Sequence, residues 1–163
     1  MENIKLNKLE KSIRYLIAAF LIVLTIGVTI GTVYVYTTAG IKVQTMADHY
    51  YGSSNEDFDI PEKYPKTFEG MLLTTHTHVI SFSIIFFLIG TIFHFNSIIS
   101  GTWKYILTME PFFATVITFS SLWGIRYIHP GFSYITIFSG VLMYLSFYFL
   151  ILVLLYDLIL KKI

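Results

Sequence analysis

Thr74-Thr75-His76-Thr77-His78, running on to Gly90-Thr91-Ile92-Phe93-His94, lies inside a stretch, 70–103, that contains no Asp, Glu, Lys or Arg. About 20 mostly apolar residues are enough for a helix to cross a bilayer, and this stretch is longer. It also holds three of the chain's five histidines. An ionisable side chain inside such a helix is costly, which makes each one a functional candidate.

The surrounding chain has the same character. Of its 163 residues, 55% are hydrophobic and 13% charged, against about 25% charged in soluble proteins. The net charge of +1 lacks the basic excess that a nucleic-acid partner requires. Without cysteine, the chain can form no disulfide, no Cys-ligated Fe-S cluster and no c-type haem. Any haem or metal must be held by His, Met or carboxylate.

Four uncharged or nearly uncharged segments predict an all-α, four-helix transmembrane bundle in one integral membrane domain, 1–163, with helices over about 14–38, 67–95, 103–129 and 133–160. The first is too long for a signal-peptide core, and its Gly27 and Gly31 form a GxxxG pair that admits close approach. Between helices one and two, residues 39–66 read as an irregular external loop. They carry acidic residues, Gly52-Ser53-Ser54-Asn55, two prolines, and His49 beside Tyr50 and Tyr51. With the N-terminus inside, Lys5, Lys8, Lys11, Arg14, Lys104, Lys161 and Lys162 are cytoplasmic, whereas Lys42, Lys63, Lys66 and Arg126 are external. Seven against four places both termini in the cytoplasm.

His76 and His94, 18 residues apart, share one stripe of a regular helix, about 27 Å apart along its axis. His78 lies roughly 200° round from His76, so the two cannot easily bind one ion. The hydroxyls near them can either bond the second nitrogen of a ligating histidine or turn back to helix carbonyls. The depth of helix three depends on its start. From Trp103, His76 comes level with Leu122-Trp123 above a cavity walled by Gly31, Gly124 and Gly140; from Pro111, it comes level with His129. The interfacial look of Trp103-Lys104-Tyr105 favours the first register. Glu110 is expected to reach the inner headgroup region, the alternative being a buried proton-carrying carboxyl. Arg126 can clamp a haem propionate or a quinone oxygen, or snorkel to lipid phosphate.

Through His76-Thr77-His78, Gly90–His94, Pro111-Phe112 and Gly140-Val141-Leu142-Met143, the chain resembles a group of small bacterial four-helix membrane proteins with HxH at the outer start of helix two. Most of that group have no assigned function. The HxH and distant histidine are also similar to histidine-bearing helices of heme–copper oxidase and NnrS-like membrane proteins, where such residues imply haem or metal ligation. The chain is too short for a twelve-helix oxidase core, and its helices one and four lack the histidines of a di-haem cytochrome b.

These features leave three functional readings. One is a small electron-transfer subunit of the bacterial inner membrane that binds haem b through His76 or His78, or a metal ion at the same pair. His129, His94 and Arg126 complete its candidate cofactor-binding residues. Another is a non-catalytic accessory or assembly subunit whose histidines are structural. The third is a quinol-binding anchor for a larger respiratory or redox membrane complex. No nucleophile triad, phosphate loop or HExxH site is present, so an independent enzyme is not expected. The topology has a direct test. A reporter fused after Ile163 should be cytoplasmic and one inserted at Ser53 external; a cytoplasmic Ser53 reporter would invert every depth above.

Overall fold

The computed structural model describes residues 5–55 and 58–161; Glu56 and Asp57 of the acidic loop, Lys162 of the orientation count and Ile163 lie outside them. After a short 3₁₀ turn at Leu6–Lys8, the elements are α1 (Lys11–Thr38), α2 (Val43–Tyr50), β1 (Ser53–Asn55), β2 (Phe58–Lys63), α3 (Phe68–His94), α4 (Thr102–Tyr127) and α5 (Phe132–Leu155). A π-helical turn, Tyr156–Leu160, prolongs α5. Four of these helices are long and apolar enough to span a membrane. The chain is therefore a multi-pass integral membrane protein whose lateral surface contacts the lipid bilayer.

The antiparallel pair α4 and α5 is the most tightly packed part of the bundle. On α4 the buried side is made of Pro111, Ala114, Thr115, Thr118, Ser121, Leu122 and Ile125; on α5 it is made of Ser133, Thr136, Ser139, Met143, Ser146 and Leu150. Spacings of three and four keep each set on one face, and small residues let the backbones approach closely. The hydroxyls bond across the seam. Thr118 donates to Ser139 at 2.8 Å, Ser121 and Thr136 share a hydrogen bond of 2.7 Å, and Thr115 contacts the Met143 sulfur at 3.3 Å. Deeper in, Ser146 donates to Glu110. Each such bond is worth about 0.6 kcal/mol in a membrane, so the four together contribute about 2 kcal/mol and, more usefully, define the register. At the other end, a side chain on Gly124 would meet the Phe132 ring at 2.4 Å, so only glycine lets the helices close there.

Helix α4 runs unbroken from Thr102 with Pro111 inside it, which gives the first of the two registers. Trp123 accordingly reaches α3, donating from Nε1 to the Thr75 hydroxyl at 2.9 Å. Two expectations are corrected here. Glu110 turns toward α5, where Ser146 donates to its carboxyl, rather than outward from the bundle; its other oxygen, Oε1, is buried with no partner among the described residues. Residues 39–66 are not simply an irregular loop. They hold α2, whose Met46, Ala47 and Tyr50 are buried against the bundle, and the β1–β2 hairpin, paired antiparallel with Ser53 opposite Lys63. The bundle is helical, but its outer cap is α plus β.

Hydrogen bonds gather the opposite end. Asp157, fully buried, accepts from the Ser97 amide and hydroxyl, both at 2.6 Å, in the α3–α4 turn. Lys161 donates to the same hydroxyl at 2.9 Å. Arg14 donates to the Leu158 carbonyl, Nε at 2.8 Å, and Leu6 N–H donates to Phe95 O at 3.0 Å. Both described ends of the chain thus lie at one end of the bundle, as an even number of spans requires. Removing the Asp157 carboxylate strands two donors. Asp157→Ala should lower stability by about 3 kcal/mol, read as thermal unfolding in detergent, with Asp157→Asn losing less because it keeps one acceptor.

Candidate functional site

Helices α3, α4 and α5 frame a half-open cavity of about 520 Å³ in the half of the bundle nearer α2, the outer half by the basic-residue count. Its walls are Thr74, His78 and Phe82 from α3, Thr118, Phe119 and Leu122 from α4, and Thr136, Gly140, Met143, Tyr144 and Tyr148 from α5. Met46 and Tyr50 of α2 roof it, and α1 closes the side with Thr32 and Val35. Among the described residues no Asp, Glu, Lys or Arg lines it. Burial, and next the nearby Tyr34, pushes the Tyr50 hydroxyl up to about 12, so it stays a neutral phenol.

His78 is the polar group best placed to act on a guest. Its Nδ1 lies 2.8 Å from the carbonyl of Thr74, one turn back. A carbonyl only accepts, so Nδ1 carries the proton. In neutral His78 this leaves Nε2 with a free lone pair, able to accept a hydrogen bond or ligate a metal. The ring sits between Phe119 and Phe82, with centroids at 5.5 and 6.3 Å.

The other sequence candidates fall elsewhere. His76 is exposed and lines neither cavity described here. His94, on the same stripe, is also exposed; it packs edge-on against Phe95, and its carbonyl takes the Lys104 ammonium at 2.9 Å. The His76–His94 stripe therefore faces away from the bundle; His78 is itself exposed, but its ring lies against the buried Phe82 and Phe119 and borders both spaces. His129 accepts from the Gly131 amide at 2.9 Å in the α4–α5 turn. Arg126 donates to Lys66 O at 2.7 Å and lies 4.7 Å over the Tyr127 ring, so it sits at the outer rim, away from the cavity wall. His76 and His78 do not converge, because residues two apart leave a helix on different sides. Among the described residues no group of three or more His, Asp or Glu is arranged to hold a metal ion. Of the expected glycine walls, Gly140 lines the interior cavity, Gly31 lines a second space between α1 and α3, and Gly124 is filled by Phe132.

A family model described as a transmembrane helical domain matches residues 40–163. The chain belongs to the Aq_1264_TM family of transmembrane helical domains. The match takes in α2 to α5, which supply most of the cavity, and it lends no support to a likeness with oxidase or NnrS-like helices. Comparison with the curated proteins and with the solved structures finds no match.

Reasoning from sequence missed Tyr144, Tyr148, Tyr50 and Met46 as cavity residues. A weak signal existed for two of them, since Tyr144 and Tyr148 stand one turn apart on α5. The roof also carries a pH-sensitive group. Burial lowers the affinity of His49 for a proton below its ordinary value, and the charges of Lys66 and Lys63 add to this, against a hydrogen bond to the Thr38 backbone. The unfolded chain then takes up the proton first, so the stability conferred by neutral His49 is complete above about pH 6.5 and is lost as pH falls below it. His49→Gln should flatten the fall in unfolding temperature between about pH 7.5 and 5 relative to the native chain; an unchanged slope would show that His49 contributes nothing to it.

Proposed function

We propose that this domain binds a neutral, ring-bearing membrane reductant, a quinol, in the outer-half cavity, with His78 as the residue that orients it. The observation that carries this reading is the uncharged lining combined with a free acceptor at His78 Nε2. A quinol hydroxyl donates to that lone pair, and its ring is sheltered by Phe82 and Phe119. Apolar pockets with a few placed polar groups are the usual form of small-molecule sites. The chain's own residues bind and orient the guest; on oxidation to the quinone, its two electrons would pass to an acceptor in a partner respiratory or redox complex and its two protons to the water outside the bundle. Such a role fits the bacterial inner membrane, with the α2 side outward.

A second reading keeps haem b. It is favoured by the same histidine, because a ring held by a Thr74 carbonyl at Nδ1 presents Nε2 as an axial ligand. Against it stands the lack of any cation in the lining to meet two propionates, with Arg126 engaged at the rim.

The test uses the purified full chain in detergent, titrated with a tail-less dimethoxy-methyl-benzoquinol. His78→Leu should weaken binding about five- to tenfold, the worth of one buried hydrogen bond, while His76→Leu stays within about twofold of native. Equal effects of the two substitutions would remove the quinol reading. A Soret band in the purified protein, lost in His78→Leu alone, would establish the haem reading instead.

A further inference from the structure

We propose that Glu110 is a proton-binding site inside the bilayer, a carboxylic acid kept neutral between α4 and α5 and donating to the carbonyl that Pro111 frees. It lines neither of the two spaces described above, so the inference holds whatever the cavity binds. Every other Asp, Glu, Lys or Arg of α1, α3, α4 and α5 lies within about one turn of its helix end. Glu110 stands eight residues past Thr102, about 12 Å along α4. Residues 70–94 of α3 and the whole of α5 contain no Asp, Glu, Lys or Arg to meet it.

Asp157 shows how this chain holds a buried carboxylate. Each of its oxygens receives a donor from Ser97, and the Lys161 ammonium lies on the same hydroxyl. Glu110 has a single donor, the Ser146 hydroxyl on Oε2, and its Oε1 is buried with no partner among the described residues. The titratable groups of the surrounding helices are engaged elsewhere. Lys104 of α4 bonds the His94 and Asn96 carbonyls, and His94 of α3 is exposed. Tyr148 of α5 bonds Thr29 of α1, Tyr144 lines the cavity, and α2, with Asp48 and His49, covers the outer half. A negative charge on Glu110 would therefore sit in hydrocarbon with no cation and one stranded oxygen, which is the costly arrangement.

Pro111 supplies what the neutral form needs. Proline has no N–H, so the Leu107 carbonyl, four residues earlier, loses its helix donor. Glu110 is three residues beyond Leu107, on the same face, and helix side chains lean back over the preceding turn. An ionised carboxyl would add a second orphan acceptor beside that carbonyl. One proton on Oε1 converts the pair into a hydrogen bond, while Oε2 keeps the Ser146 donor.

The experiment uses the purified full chain in detergent and a hydrophobic carbodiimide, which reacts with protonated carboxyls from the apolar phase. The carboxyl O–H adds across one C=N bond, its oxygen to carbon and its proton to nitrogen; acyl migration then gives a stable N-acylurea carrying the reagent's whole mass. At pH about 6.5 an exposed glutamate is almost wholly ionised. Glu110 should then be labelled at least about tenfold faster than Asp157 and the surface carboxylates, read by peptide mass spectrometry. Pro111→Ala returns an N–H to the Leu107 carbonyl and should slow labelling about fivefold, the worth of one hydrogen bond. Glu110→Gln keeps a neutral group that donates to that carbonyl, so the unfolding temperature should be unchanged. The infrared difference between native chain and Glu110→Gln should contain the carbonyl stretch of a protonated acid, a readout independent of reagent access. A carboxylate signal in its place overturns the proposal. So does labelling suppressed by sodium chloride but not by choline chloride, which would put a metal cation where the proton is assigned. An undiminished rate in Pro111→Ala overturns the Leu107 carbonyl as the partner.

Discussion

The polar seam between α4 and α5 is the interaction on which the other contacts depend. In hydrocarbon there is no hydrophobic force between helices, because lipid tails are as apolar as leucine; association relies on close packing and on hydrogen bonds with no water to compete. Thr118–Ser139, Ser121–Thr136 and Ser146–Glu110 link the two helices across the seam, while Ser121, Thr136 and Ser139 also bond carbonyls of their own helix. Because these pairs repeat along two antiparallel helices, a shift of one helix by a single turn would break all of them together. The seam thereby aligns Trp123 with Thr75, and so determines at which depth α3 presents its histidines.

The cavity follows from that alignment. Helices α4 and α5 are pulled together by small residues, and α3 packs on α4 through larger ones such as Phe82, Phe86 and Phe119. Three cylinders joined this way leave space where the small side chains of Gly140, Thr118 and Thr136 meet the large ones of α3. Helix α2 covers part of that space by burying Met46 and Tyr50 over it, and the space stays open at one side. At the inner end Asp157, Ser97, Lys161 and Arg14 are joined by hydrogen bonds between the α3–α4 turn, the end of α5 and the start of α1. Polar satisfaction is concentrated at the inner end and in the seam, and ligand-sized room at the outer end.

Helix α1 stands apart from this scheme. It is anchored at its inner end by Arg14 on Leu158 and touches α5 at Thr29, but it leaves a groove beside α3. It also precedes the residues matched by the family model. Moving this helix would break its Thr29–Tyr148 hydrogen bond but none of those between α4 and α5.

Much of the architecture was determined by sequence alone. Four apolar segments of bilayer length have no stable alternative to spanning helices, since every backbone group in lipid must bond within its own segment, and Trp103-Lys104-Tyr105 marked the inner start of α4. The 18-residue spacing also placed His76 and His94 on one stripe without reference to any neighbour. Which way that stripe faced was not legible, because α3 is apolar nearly all round and shows no polar side to point outward. Only tertiary packing decided that the His78 ring, and not that of His76, lies against Phe82 and Phe119, and that Glu110 meets a serine 36 residues away. The same holds for α2: its eight residues have little intrinsic preference for a helix, and it is the burial of Met46, Ala47 and Tyr50 against α4 and α5 that stabilises it there.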